Sequence, residues 1–558
     1  MWLSVSDTCH RALRCVLRAG LGAVAFAVLC ACTTVSGGSS GAVSSARPFV
    51  FTGLAGEPDS LNVLVSSSAD LYELSHLYMS YLVETNDRGQ LIPEIATGVP
   101  TVEDGGISAD GRTITYHLRH GVHWQDGPLL TSGDVVFSYR AQMNPANNVS
   151  TRIGYSEVDV IRAPDDYTVV VHLRRPFSPF VTYFGGPQGY LILPAHLLAK
   201  YSDLNHLPYN TRPVGSGPYT VVEWRRGDAV TFAANPTYWR GAPHIARMTY
   251  RIIPDPNTRL QQLQTGEADA YFDVDPQLLP QLRALSGVRL SLTPVNDLHV
   301  LEYNVADGIV GDVRVRQAIA RAIDRRRLIE AATHGSGLAS EGDQPRNGWA
   351  YDANLPAIPY DPAAARRILD AAGWHVGPDG IRAKNGRRLD LGFAISPQGI
   401  NGSTLVATVV QRNLHDIGVD VTIKQYAPGL MWAPKAAGGI LASGEYQLAY
   451  YAWWVLGPDP DDSFQFACDQ LPPAGLNDYF WCNRRADAAM HAALLTTDRA
   501  ERTRDYAVVQ TELIKDLPEL TLWQVQMPNA YRQRLHGLAP SPFGSVFWNA
   551  WQWTLDGD

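Results

Sequence analysis

The stretch that most constrains the fold is Gln447 to Asp462, QLAYYAWWVLGPDPDD. In an extended chain Leu448, Tyr450, Ala452 and Trp454 share one face and Ala449, Tyr451 and Trp453 the other, so both faces are apolar. A strand covered on both sides belongs in an open α/β sheet with helices on its faces. Gly457, Pro458, Asp459, Pro460 and Asp461 then form a turn that leaves the sheet at the strand's carboxyl end, where ligands collect in open α/β sheets. Two indoles beside a loop of carboxylates predict a pocket with aromatic walls and a polar floor. A core strand followed by a solvated acidic turn is the alternative reading.

At 558 residues the chain is long enough for two or three lobes, each with its own core. The net charge is -9, so a nucleic-acid partner is not expected. Arg11, Arg14 and Arg18 precede the apolar run Ala19 to Leu29, which is too short to span a bilayer and fits an export signal. Leu29-Cys30-Ala31-Cys32 follows and resembles the lipobox of bacterial lipoproteins, which makes Cys32 the expected first mature residue and lipid carrier. Simple cleavage nearby and a retained anchor are the alternatives. From Thr33 to Ser45 the chain is a Ser, Gly, Thr, Ala and Val tether. Removal of the leader and lipidation of Cys32 leave Cys468 and Cys482 as thiols, a pair that an exported protein most simply joins as a disulfide. Two separate buried thiols are the alternative. A zinc site is disfavoured because two cysteines do not complete a zinc tetrahedron.

Along the chain, Phe49 to Leu54 reads as a strand, and Ser68 as the N-cap of a helix with the stripe Leu71, Leu74, Tyr78 and Leu82. Ser67 and Ser68 are candidates for ligand contact as well as for capping. Asp110-Gly111 predicts a hairpin turn, and Thr131 with Asp134 a capping box. His117, His120 and His123 do not share one face of an extended strand, so a metal site is not expected there. Gly215-Ser216-Gly217 lacks the Gly-x-Ser-x-Gly spacing of a nucleophile elbow and reads as a chain crossing. Asp312 caps a helix, Asp361-Pro362 opens another that Gly373 closes, and Ser403 opens a third that Gly418 ends before a strand through Val419, Val421 and Ile423. Strands alternating with helices imply α/β lobes.

The segments DGRTITYHLRHGVHWQDGPLLTSGDVVFSY, VGSGPYTVVEW with NPTYW, LQQLQTGEADAYF, LEYNVADGIVGDVRVRQAIARAIDR and YDPAAARRILDAAGW occur in that order. In this the chain resembles the family 5 extracytoplasmic solute-binding proteins, the peptide- and nickel-binding receptors of ABC importers. The resemblance implies a periplasmic-binding-protein type II fold: two lobes with a hinge cleft and an inserted third domain. The expected layout is a signal peptide at 1–31, a tether at 32–47, a first lobe from 48–83, 214–299 and 527–558, an inserted domain at 84–213, and a second lobe at 300–526.

The same resemblance implies a monomeric, membrane-anchored receptor outside the cytoplasm, without a cofactor. It carries a small solute, by family default an oligopeptide, to a permease and its ATPase subunits. Trp453 and Trp454 then belong to the pocket wall, and Tyr303 and Asn304 resemble residues that face the ligand. In relatives that hold a peptide ammonium an aspartate stands three positions before the Asp-Pro-Asp turn, where this chain has Leu456. A buried ammonium needs a charged partner, so its recognition moves to Asp459 or Asp461 or is absent. Arg346 is the candidate anion clamp, and Trp432 and Trp349 are candidates for stacking. Catalysis is not expected: no phosphate loop or zinc-protease motif occurs, and Asp269, Asp273 and Asp275 sit where the resemblance places a structural segment. A sensor or assembly factor on the same fold, and a non-peptide solute such as an oligosaccharide, metal chelate or heterocycle, remain alternatives.

Overall fold

Two strands several times the usual five or six residues, Val288–Tyr303 and Glu519–Arg532, organise the molecule. The computed structural model describes residues 47–556 apart from positions 54, 55, 67, 150, 187–191, 399, 401, 455 and 456. The expected signal at 1–31, the expected tether through Ala46, Cys32, Ser67 and Leu456 therefore lie outside the described residues, as does the side chain of Trp454. The two long strands pair antiparallel from Val288 opposite Arg532 to Glu302 opposite Glu519, and their register shifts between Pro294 and Leu298 and again between His299 and Val300. Pro294 and Pro528 fall near the first shift, where a residue without an N–H interrupts the ladder at least cost.

On one side of the crossing, Glu519–Arg532 pairs with Ala270–Phe272, which is followed in parallel by Phe49–Gly53 and Arg247–Arg251 and then by the hairpin Ala229–Ala234 and Tyr219–Arg225. On the other side Val288–Tyr303 pairs with Leu448–Trp454, which lies parallel to Asp390–Ile395, itself parallel to Asp420–Gln425. Each part of the sheet has its own core. The first contains Phe49, Phe51, Tyr250 and Phe272, and the end of the chain returns to it with Phe547 and Trp553; the Phe51 and Phe547 rings are 5.1 Å apart. The second is built on Leu301, Ile319, Leu369, Phe393, Val410 and Tyr450. A third surrounds a separate three-stranded sheet, Thr113–His117, Thr168–Leu173 and Val158–Asp165, with Tyr116, Trp124 and Val135. Among the described residues no helix is long and apolar enough to cross a membrane.

The predicted two-sided strand is Leu448–Trp454. Leu448 and Tyr450 enter the second core, while Ala449 and Tyr451 pack with Leu298, Val300, Ala394 and Met431 on the opposite face. The caps follow the sequence signals: Thr131 and Asp134 form a capping box, the Asp312 side chain accepts from the Arg314 N–H, and the Asp361 side chain accepts from the Ala364 N–H ahead of Pro362.

The helix after Ser68 is shorter than the predicted stripe. It ends at Tyr78, so Leu82 lies beyond it. The crossing segment presses on that end, with the Gly217 N–H donating to the Tyr78 carbonyl at 3.0 Å, and a Cβ at Gly215 would sit 1.7 Å from the same oxygen. The histidines of the second segment are separately engaged. His120 stacks on Tyr167 at 3.8 Å, and His123 Nδ1 lies 2.7 Å from the Gly127 carbonyl oxygen.

Cys468 and Cys482 are joined, closing a loop of sequence separation 14 that carries Asn477 and Tyr479. Replacing both by serine is expected to lower stability by about 3 kcal/mol through the freed chain entropy of a loop this size. The check is thermal unfolding with and without a thiol reductant: the reductant lowers the midpoint of the parent and leaves the double variant unchanged.

Candidate ligand cleft

The turn after the central strand is fastened from several directions. Gly457 takes φ 68°, a left-handed conformation that suits glycine, and the chain then runs through Pro458, Asp459 and Pro460. Asp459 receives both terminal nitrogens of Arg502, one at 3.0 Å and the other closer. Asp459 is 8% exposed and Arg502 2%. Burial alone pulls the Arg502 pKa down, and the facing Asp459 carboxylate more than reverses this, so the guanidinium is held charged. The Tyr506 hydroxyl donates to the Pro460 carbonyl at 2.6 Å, and the Trp349 indole N–H to the Pro458 carbonyl at 2.9 Å. The Arg499 and Arg502 guanidinium carbons lie 4.0 and 4.9 Å from the centroid of the Trp349 ring.

The remaining acids of the turn are also engaged. Asp461 accepts from the Ser463 N–H at 3.0 Å and its hydroxyl at 2.6 Å, and burial raises its pKa. The Gln344 amide donates to both Asp462, at 2.8 Å, and Asp343, at 2.9 Å. Burial raises both carboxyls, and their mutual repulsion raises Asp462 further.

Beside this turn opens a cavity of about 860 Å³, within the range of small-molecule sites. One wall includes Gln90, Val102 and Thr182, from the part of the chain that contributes the third core. The other includes Trp349, Asp459 and Arg499. Helix Arg499–Asp516 supplies both arginines one turn apart, after Asp498 caps its first turn by accepting from the Glu501 N–H.

Of the residues singled out from sequence, Asp459 and Trp349 line this cavity. Trp453 is half-buried, its ring 5.8 Å from Phe464 and 6.0 Å from Tyr451, and is not part of that wall. Trp454 ends the strand opposite Asp297. Ser68 precedes its helix without a side-chain cap bond, and its own N–H donates to the Ser66 hydroxyl. Trp432 is 41% exposed at the end of the short helix Pro428–Met431, away from this cavity.

Three other candidates are engaged away from this cavity. The Tyr303 side chain is fully buried in the second core, because its strand position points it inward with Leu301. Asn304 is occupied in holding the backbone, its amide donating to the Gly444 and Tyr446 carbonyls and its oxygen accepting from the Ala306 N–H. Arg346 spends its guanidinium on the Ala339 carbonyl at 2.7 Å rather than on the cavity. The arginines at the cavity, Arg499 and Arg502, lie about 150 positions from the tryptophan they cover, and no local pattern connects them. Asp269 accepts from the Val50 N–H and from Arg534, and Asp275 caps a helical turn, so both serve the backbone.

The model of the bacterial extracellular solute-binding proteins, family 5 Middle, matches residues 90–471. Protein XP55 of Streptomyces lividans is 31% identical over 508 residues, covering 90% of this chain and 88% of that protein. The glutathione-binding protein GsiB of Pectobacterium atrosepticum is 30% identical over 445 residues, 78% of this chain and 82% of its own. Among solved structures, the oligopeptide-binding protein AppA of Bacillus subtilis in complex with a nonapeptide superposes with a TM-score of 0.74 at 24% identity, covering 91% of this chain and 100% of that one. The chain belongs to family 5 of the bacterial extracellular solute-binding proteins, substrate-binding components of ABC importers with the type II periplasmic-binding fold.

Proposed function

We propose that this protein is a lipid-anchored receptor that takes an oligopeptide into the cleft beside the Asp459 turn and delivers it to an ABC permease. The observation that carries this reading is the cavity of about 860 Å³ between the third-core segment and the turn that follows the central strand. Relatives described as glutathione-binding and oligopeptide-binding support a peptide as the solute. The lobes are assigned as 48–83 with 214–299 and 527–558, and 300–526, with 84–213 inserted; the separate cores and the two crossing strands support that division. Ligand contact with both walls favours the closed arrangement, and only that difference in affinity shifts the population. Trp453, Trp454, Leu456, Ser67 and Ser68 are proposed as further ligand contacts beyond the cavity wall that Trp349, Asp459 and Arg499 form. Cys32 is assigned the lipid, which places the receptor on the outer side of a membrane.

Because Arg502 already neutralises Asp459 and Leu456 stands where the family resemblance implies an aspartate, Asp461, bonded to Ser463, is assigned as the carboxylate of the turn segment 457–461 that meets a peptide ammonium. A solute without an ammonium is the second reading, favoured by that shortage. Native mass spectrometry of the mature protein, followed by denaturation, separates the two. A mixture of short peptides supports the first reading; a single sugar, metal chelate or heterocycle overturns it and leaves the receptor reading standing.

A further inference from the structure

Arg499 lines the cavity and makes no ion pair or side-chain hydrogen bond with any described residue. Its guanidinium is placed by Trp349 alone, at 4.0 Å from the ring centroid. That ring is itself fixed by the bond to Pro458 and by the edge of Tyr506 at 5.8 Å. The charged groups around it are Arg502, paired with Asp459; Asp498, which caps the helix; and, on the facing wall, Arg88 and Glu103. Arg499 is the first residue of an 18-residue helix, where the dipole favours an anion over a cation. Among the described residues the buried Arg502 Nε on the same wall has no hydrogen-bond partner either. A guanidinium held over an indole ring at a cavity, its N–H donors without a partner among the described residues, fits a carboxylate.

Resting on the peptide reading above, we propose that Arg499, held by Trp349, is the specificity-determining residue that receives a carboxylate of the bound peptide. That carboxylate belongs to the peptide's carboxyl terminus or to an acidic side chain, and the two are separable by experiment.

The probes are three synthetic alanine-rich pentapeptide mixtures, one with free carboxyl termini, one amidated, and one amidated with a central glutamate. Each is titrated calorimetrically into the detergent-extracted mature protein after its co-purified ligand has been removed. The parent is expected to bind an acid-bearing mixture about ten-fold or more tighter than the neutral amidated one. Arg499→Gln is expected to abolish that difference and Arg499→Lys to retain part of it; the exposed position of Arg499 lets both variants fold. Tight binding of the free-terminus mixture assigns the terminal carboxylate, and tight binding of the glutamate mixture assigns a side chain. Equal binding of all three by the parent, or undiminished discrimination by Arg499→Gln, overturns the assignment and leaves the peptide reading intact. No binding of any mixture by the parent overturns the peptide reading and this inference together.

Discussion

Replacing Arg502 by leucine is expected to cost about 3–5 kcal/mol of stability and to remove ligand binding. Arg502 and Asp459 are both nearly excluded from solvent, so the loss is dominated by the carboxylate left behind without a counter-charge. The same substitution frees Trp349 from one of its two covering guanidinium groups and loosens the wall on which Arg499 rests. Asp459→Leu is expected to be similarly damaging from the other side, because it leaves a buried guanidinium. The double variant Arg502→Leu with Asp459→Leu is expected to recover a large part of the stability, since neither charge is then buried alone. Denaturant midpoints of the three variants test this. Singles within about 1 kcal/mol of the parent, or a double no better than either single, would show that this pair does not hold the turn.

What sequence made legible follows physical range. The central strand was readable because both faces of Leu448–Trp454 are apolar, a property of consecutive residues. The caps at Thr131, Asp312 and Asp361 were readable because a cap acts over three positions. The Cys468–Cys482 pair followed from compartment and count. The cavity wall was not readable. Trp349, Asp459 and Arg499 are joined by the sheet's topology, and an arginine at the start of a helix looks the same in sequence whether it meets water or an indole. The burial of Tyr303 was not readable for a related reason: a strand shows which residues share a face, and only its neighbours decide whether that face meets the core or the cleft. The lobe boundary expected at 526 falls inside Glu519–Arg532, with Gln526 opposite Pro294, because a strand that crosses between lobes carries no break in its own sequence.

Those crossing strands also set a pH dependence. Glu302 and Glu519 stand directly opposite each other, 0% and 6% exposed. The Tyr446 hydroxyl donates to Glu302 and the Tyr479 hydroxyl to Glu519 at 2.6 Å, while Glu519 Oε1 has no partner among the described residues. Asp478 and Asp343 add negative charge nearby, and burial pushes Glu519 up to about 8 and Asp478 up to about 7. Each acid is therefore protonated in the folded protein over a range where the unfolded chain has released its proton. The folded state binds more protons between roughly pH 4.5 and pH 8, so stability from these groups falls as pH rises through that window. His299 works in the opposite sense. Burial pushes it down to about 3, so its contribution is lost as pH falls below about 6.5. Stability is thus expected to fall from pH 6.5 to pH 8.5. Glu519→Gln keeps the shape and the acceptor for Tyr479 but cannot ionise, so it is expected to gain stability on the order of 3 kcal/mol at pH 8.5 and almost none at pH 5. Unfolding free energies of parent and variant across that range decide the matter: parallel curves would mean that Glu519 is not the group that titrates, whereas curves that meet at pH 5 and part above pH 7 assign the slope to this carboxyl at the crossing of the lobes.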